Sequence, residues 1–419
     1  MSAVLIVLFF LLALAALPVA HALLAACAVV VVSMNPKVAN VLVEQMVAQS
    51  QSFPLIAIPF FMLTGSLIMG GKLGQYLIKL VTLMVGRYHG GPAQVGVLSS
   101  TIFGGVSGSA VADASAIGSL LIPWHKRLGY PAAFSAATLA SAATIDILIP
   151  PSIPFILYAL ASGASIGALF YAGIFPGILL CVAFMAVCYF VGRARNFPRV
   201  QEVMNRQELW TLLYYSLPAL VMPVLIIVLL RFGIATPTEV AIISTLYAGL
   251  TSIAIYRDLT LARIKHAVLE SAVATGVVML IIMTSSVVGW LITLDQLPAA
   301  FTAFAKEVLG EKWLIILAMN LLMLVVGMFM DLPAAVLLLA PIFVPLAASI
   351  GMDSVQLGVM MVVNLAIGLY TPPVGTTLFI TSSVAGVKIG ETVKELVPFY
   401  AVALVVLLIV SYVPASILR

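Results

Sequence analysis

The sequence predicts an all-α polytopic membrane protein, built as an inverted repeat with two re-entrant helical hairpins and two broken helices. Three observations predict it. Of the 419 residues, 63% are hydrophobic and 8% are charged, glycines and prolines recur at a fixed offset, and two apolar units are too long for one span. A soluble domain carries about 25% charged residues, so the solvent is a bilayer. Long unbroken apolar runs favour helices over the alternating strands of a membrane barrel.

A repeat at an offset of 222 residues aligns the helix-breaking positions of two halves. The matched positions are Gly105 with Gly327, Pro123 with Pro345, Gly129 with Gly351, Pro150-Pro151 with Pro372-Pro373, and Pro176 with Pro398. Coincidence is the alternative in a chain that has 30 glycines and 23 prolines. Breakers at corresponding positions of two halves mark the binding site of a transporter, because unwound backbone is tolerated at membrane depth only around a cavity or inside protein. The repeat therefore favours transport.

The repeat divides the chain into a first repeat over residues 1–210, a linking helix over 211–235 and a second repeat over 236–419. The first apolar run, residues 3–32, is expected to be a retained membrane helix kinked at Pro18. No Lys or Arg precedes it, and it exceeds the apolar core of about 7–15 residues in a signal peptide. Further spans are expected near residues 54–70, 168–192, 211–230, 236–255, 268–294 and 397–418.

Two 33-residue units, residues 91–123 and 313–345, are expected to fold back on themselves. A continuous helix of that length would reach roughly 50 Å, whereas the hydrocarbon core is about 30 Å thick. The expected turns lie at Gly104–Ser109 and near Gly327–Pro333. Each hairpin precedes a helix broken at a Pro-Pro pair, over 131–160 and 354–385. Consecutive prolines remove backbone donors and leave carbonyls that a cation can bind.

The distribution of basic residues predicts the orientation. One side receives 14 of the 19 Lys and Arg, in the loops near residues 72–87, 126–127, 193–206, 257–265 and 388–394. The positive-inside rule makes that side cytoplasmic. The first hairpin then enters from the cytoplasm and the second from outside. We also expect a cytoplasmic N-terminus and a periplasmic C-terminus.

The first expected turn permits two interpretations. Gly104 and Gly108 have the spacing of a small-residue helix interface, whereas hydroxyls and freed carbonyls at a hairpin tip would coordinate a hard cation. Carboxylates inside apolar segments indicate function by default, and they lie at Asp113, Asp146, Glu239, Glu270, Asp295 and Asp331.

The sequence contains no GxxxxGK[ST] nucleotide-binding loop, so the energy for transport must come from an ion gradient or from another chain. It also contains no Ser-His-Asp arrangement or metal-ligand cluster that suggests an enzyme. A passive channel and an intramembrane enzyme remain the alternatives to ion-coupled transport.

Three segments resemble the large membrane subunit of tripartite ATP-independent periplasmic (TRAP) transporters, the DctM-like family. They are GGVSGSAVADASAIGSLLIP at 104–123, LIPPSIP at 148–154 and GLYTPPVGTTLF at 368–379, and the resemblance covers essentially the whole chain. It implies elevator-type import of a small carboxylate with Na⁺ as the coupling ion, without an organic cofactor, in the bacterial inner membrane. It also implies two separate partners, a small four-helix membrane subunit and a periplasmic substrate-binding protein. Nucleic acid is not an expected partner.

The resemblance also implies where ligands bind. One sodium site is expected at the first tip and break, formed by Gly105, Ser107, Gly108, Ser109, Pro150 and Ser152. A second is expected at Gly327, Asp331, Thr371, Gly375 and Thr376. The substrate is expected between the tips, near Ser109, Ala110, Asp146, Pro151 and Pro373.

One expected site residue departs from the family pattern. Members usually have glycine where this chain has Asp146, and the repeat partner of Asp146 is Gly368. Its carboxylate is expected to strengthen cation binding, to titrate with pH, or to face a water-filled gap without effect.

Overall fold

The computed structural model describes residues 1–15, 17–34, 39–69, 71–201 and 204–414. Within those ranges the secondary structure is helical and contains no β-strand, and seven helices are long and apolar enough to cross a membrane. Lys37 and Arg419, which the charge count includes, lie outside the described residues. The helices before the first hairpin are α1 (Ser2–Leu14), α2 (Val19–Met34), α3 (Ala39–Ser50), α4 (Ala57–Met69) and α5 (Lys72–Val85).

The first apolar run corrects one prediction. Residues 3–32 do not form one kinked span but two helices, α1 and α2, which pack against each other. Pro18 immediately precedes α2, where its missing N–H costs nothing, whereas inside a helix it would remove a hydrogen bond. After α2 the chain forms α3, and the axis bends by 61° where the chain passes into the next helical segment.

Both long units fold back near the expected glycines. The first forms α6 (Gly91–Ser107) and α7 (Ala110–Arg127), and the second forms α15 (Lys312–Phe329) and α16 (Leu332–Ser349). The first broken helix consists of α8 (Ala132–Ala142), a short 3₁₀ turn and α9 (Ile153–Ser162). The second consists of α17 (Ser354–Gly368) and α18 (Thr376–Ala385). Both Pro-Pro bonds are cis. Hairpins and broken helices agree with the predicted fold class.

Six further helices complete the described chain. They are α10 (Ile166–Ala194), α11 (Arg206–Arg231), α12 (Pro237–Thr251) with a π-helical extension to Tyr256, α13 (Leu261–Leu294), α14 (Leu297–Leu309) and, at the end, α19 (Ile389–Tyr412). Most of α11 lies in the segment predicted as the link. Several begin with a side-chain cap, such as the capping boxes of Asn205 with Glu208 and of Thr236 with Glu239, which satisfy backbone N–H groups that a helix start leaves free.

The two halves interlock at their broken helices. The last segment of the second broken helix, α18, packs against α7 and α8, while α9 packs against α16 and α17. Thr377 at the start of α18 donates its hydroxyl to the carbonyl of Ala140 in α8 at 3.1 Å. In the other direction, Tyr158 of α9 donates to the carbonyl of Ser354 in α17 at 2.7 Å. Each half therefore completes the core of the other.

The N-terminus is held at the end of α13. The Met1 ammonium lies 3.2 Å from Asp295, which follows the last residue of this 34-residue helix. At about 1.5 Å per residue the helix separates its two ends by roughly 50 Å. The N-terminus and the basic connector near Arg257 therefore lie at opposite ends of α13, and the orientation of the termini stays a prediction.

Candidate cation and substrate site

The first hairpin tip is packed directly against the first helix break. Gly108 turns the chain with φ +62°, a conformation that side chains rarely adopt, and a Cβ there would lie 3.1 Å from the carbonyl carbon of Pro151. Ser109 caps α7 by accepting from the N–H of Ala112 at 3.4 Å, and Ser152 caps α9 in the same way. The C-terminal ends of α6 and α8 meet at this point with the N-terminal ends of α7 and α9. Carbonyl and amide dipoles of both signs therefore converge there.

Asp146 is bound to the hairpin tip and is fully buried. Its Oδ2 accepts the hydroxyl of Ser107 at 2.7 Å, and the backbone N–H groups of Gly108 and Ser109 face the same carboxylate. Gly104 makes room for it, since a Cβ at Gly104 would lie 2.7 Å from the Asp146 Cα. A negative charge is favoured at a helix N-terminus. Asp146 places a carboxyl group at the start of α7, beside the buried Asp113 in the first turn of that helix.

The second tip also packs a hairpin turn against a broken helix, and it has an acidic residue, Asp331, in the turn itself. The turn between α15 and α16 passes through Met330 and Asp331, and Asp331 occupies the N-cap position of α16. Gly327 and Gly368 bring the backbones of α15 and α17 together, because a Cβ at Gly368 would overlap the Gly327 carbonyl. Gly368 is the repeat partner of Asp146. Each hairpin thus has an acidic residue of its own at the start of its second helix, Asp113 in α7 and Asp331 in α16. The first hairpin has, in addition, Asp146 from the opposing break.

Hydroxyls and the backbone hold the second break in place. Thr371 donates to the carbonyl of Ile367 at 2.6 Å, and the N–H of Val374 donates to the carbonyl of Met328 at 3.1 Å. Gly375 has φ +31°. The buried Thr376 Oγ1 has no hydrogen-bond partner within the described chain. A hydroxyl of that kind is a suitable oxygen ligand for a hard cation.

A cavity of about 630 Å³ reaches the first tip. Its volume lies within the range of about 300–1,000 Å³ found for small-molecule sites. It runs between α7 on one side and α4 and α13 on the other, and it is lined by Ser107 and Ser109 at the tip and by Arg263, His266 and Glu270 at the start of α13. Because Arg263 belongs to the basic end of α13, the cavity leads from the tip toward the side predicted to be cytoplasmic.

The structure places the predicted site residues unevenly. Ser107 and Ser109 line the cavity, and Pro150 lines a separate cavity of about 280 Å³ together with Tyr171 and Arg231. The described residues that line these two cavities do not include Ala110, Asp146, Pro151 or Pro373. Each tip contacts the broken helix of its own half, with Gly108 against Pro151 and Gly327 against Gly368.

Sequence reasoning missed most of the cavity wall. The basic stretch near residues 257–265 was expected to be a loop, whereas α13 begins at Leu261 and brings Arg263 into the cavity wall. Ser115 and Ser119 of α7 were also not among the predicted site residues. The available signal was their helical spacing from Ser109, because residues three or four positions apart share one face of a helix.

The architecture defines a class of protein: a multi-span helical membrane protein with paired hairpins and broken helices. A solved structure has a similar fold. The crystal structure of the Alcanivorax borkumensis YdaH transporter, described as having an unusual topology, matches with a TM-score of 0.64 at 15% identity, over 88% of this chain and 86% of that chain.

The family follows from the sequence comparisons. Residues 6–416 match the model of the tripartite ATP-independent periplasmic transporter, DctM component. The chain is 52% identical to the uncharacterized protein y4mL of Sinorhizobium fredii, over 99% of both chains. It is 37% identical to the C4-dicarboxylate TRAP transporter large permease protein DctM of Pseudomonas aeruginosa, over 93% of this chain and 91% of that one. The chain belongs to the DctM family of TRAP transporter large permeases and is not an enzyme.

Proposed function

We propose that this permease imports small organic acids in symport with Na⁺, using substrate delivered by a periplasmic binding protein. The observation that carries the proposal is the first tip, where hydroxyls and helix ends of both signs converge at the head of a cavity. Oxygen ligands suit Na⁺ as they suit other hard cations, and the N-terminal ends of half-helices suit an anion. The relative named for C4-dicarboxylate transport supports an acid as substrate.

Two sodium sites follow from this proposal. The first uses the tip and break around Gly105, Ser107, Gly108 and Ser109, together with Pro150 and Ser152. The second uses Gly327, Asp331, Thr371, Gly375 and Thr376, where the unpartnered Thr376 hydroxyl is the strongest single indication. For the substrate, the cavity favours Ser109 over the other expected contacts, since Ala110, Asp146, Pro151 and Pro373 lie outside the lining described above.

The proposed movement is of the elevator type. The interlocked hairpins and broken helices would move as one body past a frame that includes α4, α12 and α13, in which α12 and α13 each pack closely on α4. The cavity lies along the boundary between these two groups. Such a movement would close the cavity on one side and open it on the other. The proposal also includes a separate small four-helix subunit and location in the bacterial inner membrane.

Uptake by proteoliposomes tests the proposal against its alternatives. The permease is reconstituted with its small subunit and a candidate binding protein, and accumulation of radiolabelled acid is followed with an inward Na⁺ gradient or with K⁺ replacing Na⁺. Symport predicts accumulation above the external concentration only with the Na⁺ gradient. Uptake that merely equilibrates, with or without Na⁺, would identify a passive channel. Chemical conversion of the acid without net uptake would identify an enzyme.

A further inference from the structure

A third cavity, of about 450 Å³, lies where the start of α5, the first part of α11 and the π-helical end of α12 meet. It shares no lining residue with the cavity at the first tip. Its described lining contains two basic side chains and four tyrosines but no acidic residue, and the six are Lys72, Arg257, Tyr76, Tyr214, Tyr215 and Tyr256. A cavity with these side chains favours an anion as its ligand.

The acidic residue that follows Arg257 in the chain already has partners. The Oδ1 of Asp258 lies 2.7 Å from the Nη1 of Arg263, and its Oδ2 accepts the backbone N–H of Lys72 at 2.8 Å. The ammonium of Lys72 donates to the carbonyl of Tyr256 at 3.5 Å. Arg257 forms no ion pair with another residue of the described chain. The positive charges of Lys72 and Arg257 are therefore available to a ligand from outside the chain.

Tyrosine rings fix the shape of this cavity. Tyr76 stacks on Tyr215 with 4.8 Å between the ring centroids and on Tyr256 with 6.4 Å, and the Tyr256 hydroxyl donates to the carbonyl of Tyr215 at 2.6 Å. The hydroxyls of Tyr76, Tyr214 and Tyr215 form no hydrogen bond with another described residue. Phenolic O–H donors together with an ammonium and a guanidinium suit the oxygens of a phosphate.

An exposed apolar surface runs along α11 from the cavity. Tyr214 lines the cavity, and exposed side chains continue on the same helix face at Leu217, Val221, Val224 and Val228. The interval from Tyr214 to Val228 covers roughly 21 Å at about 1.5 Å per residue, whereas one leaflet contributes about 15 Å, half of the hydrocarbon core of about 30 Å. The surface is therefore long enough to receive the acyl chains of one leaflet.

The helix α5 places the cavity at the boundary between membrane and water. Lys72, Tyr76 and Lys79 share one face of α5 by their spacing, while Leu73 and Leu77 on the other face are buried. An amphipathic helix with lysines on its polar face lies in the plane of the membrane interface, where tyrosine is also enriched. The cavity belongs to the side that receives 14 of the 19 Lys and Arg. It thus lies at the level of the lipid headgroups.

We propose that this cavity binds the phosphate of an anionic phospholipid whose acyl chains lie along the exposed face of α11. Lys72, Arg257 and the tyrosine hydroxyls receive the phosphate oxygens. A described lining without an acidic residue favours a headgroup of net negative charge over a zwitterionic headgroup, whose ammonium would meet two like charges. Basic pockets between membrane helices bind acidic headgroups in the same way. The bound lipid ties α5, which connects α4 to the first hairpin, to α11 and α12.

Lipid titration of the full chain in detergent micelles tests the chemistry of the ligand. Thermal stabilisation is measured with dioleoyl phosphatidylglycerol, with dioleoyl phosphatidylcholine and with glycerol phosphate, because a ligand that binds the folded state raises stability by mass action. The two lipids have the same chains but different net charge, and glycerol phosphate has the phosphate without chains. We expect the half-saturating concentration of phosphatidylglycerol to be at least tenfold lower than that of either other probe.

Two double variants with the same change in charge test the location. Lys72→Gln with Arg257→Gln removes both basic side chains of the cavity, whereas Lys388→Gln with Lys394→Gln removes two from α19 and its N-cap, on the same predicted side. Each basic side chain near the membrane surface strengthens the binding of an acidic lipid about fivefold. We therefore expect roughly 30-fold weaker binding of phosphatidylglycerol in the cavity pair and nearly unchanged binding in the α19 pair.

Four outcomes would overturn this proposal. Equal stabilisation by the two lipids would exclude selection of an anion, and equal losses in the two double variants would exclude this location. Binding of glycerol phosphate as tight as that of phosphatidylglycerol would identify a site for soluble phosphates. Loss of the phosphatidylglycerol effect when the small subunit is added would show that a protein partner occupies the cavity.

A charge-preserving exchange keeps the test decisive if the cavity pair is unstable before lipid is added. Lys72→Arg with Arg257→Lys retains both positive charges, so we expect it to retain most of the affinity for phosphatidylglycerol. Retained affinity supports the cavity as the lipid site. Loss of affinity at a normal melting temperature in this variant would contradict recognition of the lipid by charge.

Discussion

Replacing Asp146 by glycine, the residue that its repeat partner Gly368 has, tests whether this carboxylate strengthens cation binding. The side chain is fully buried and accepts the Ser107 hydroxyl at 2.7 Å. A cation bound to that same Ser107 oxygen, at a contact of about 2.4 Å, would lie roughly 5 Å from the carboxylate. The Asp146 charge then acts on the cation through one intervening hydroxyl.

The expected magnitude follows from Coulomb's law. Two unit charges about 5 Å apart attract by about 3 kcal/mol at an effective dielectric constant of about 20, which corresponds to roughly a 200-fold change in affinity. Loss of the bond from Ser107 and local relaxation change the site as well. We therefore expect Asp146→Gly to raise the Na⁺ concentration for half-maximal uptake at least tenfold. Maximal uptake at saturating Na⁺ should change less.

Na⁺-dependent uptake in proteoliposomes measures this effect, and two further variants separate its causes. Asp146→Asn keeps an acceptor for Ser107 but removes the charge, so it should weaken Na⁺ binding nearly as much as Asp146→Gly. Asp295→Asn removes an exposed carboxylate at the far end of α13 and should leave the Na⁺ dependence unchanged. Unaltered Na⁺ affinity in both Asp146 variants, with normal expression, would refute the electrostatic reasoning.

Three other predictions concern backbone and surface positions. Gly108→Leu should abolish uptake, because φ +62° costs a side chain about 1–2 kcal/mol and the break leaves no room; normal uptake at normal expression would contradict this. Gly368→Ala should lower the melting temperature, because overpacking against Gly327 costs about 1–3 kcal/mol. Gly276→Ala, where a Cβ meets open space, should raise the melting temperature slightly. The reversed order of melting temperatures would refute the close contact between Gly368 and Gly327. Hydrogen bonds from Ser2 lower the pKa of Asp295 to about 2. The Asp295 carboxylate therefore stabilises α1 fully above its ordinary pKa of 3.8, and this stabilisation is lost as pH falls toward 2. Hydrogen exchange of the α1 amides, measured across that pH range, checks the prediction.

Local backbone signals predicted the turns well. The first turn falls at Gly108-Ser109 and the first break ends at Ser152, because glycine and proline restrict or free the backbone regardless of what surrounds them. Pro18 shows the limit of the same signal. Proline does not specify whether a helix ends, since Pro123 and Pro176 lie inside α7 and α10, whereas the kink expected at Pro18 is a fold-back.

Contacts between distant segments were not predictable from one sequence. Asp146 and Ser107 lie 39 residues apart, and nothing local to either residue indicates the other. The same holds for the cavity wall, where α7 meets α4 and α13. Arg263 was assigned to a connector because its charge suggested solvent, although the guanidinium is balanced by Asp258 and largely buried.

The interlocking of the halves sets an order for co-translational folding. The carbonyl of Ala140 receives the Thr377 hydroxyl from 237 residues later in the chain, which at about 5–20 residues per second is a delay of roughly 12 to 50 s. During that time α8 has no α18 to cover it. Its own hydroxyls already have partners one turn back, since Thr138 donates to Phe134 and Ser141 to Ala137, both at 2.9 Å. The helix can therefore wait in the membrane without exposing those donors to lipid.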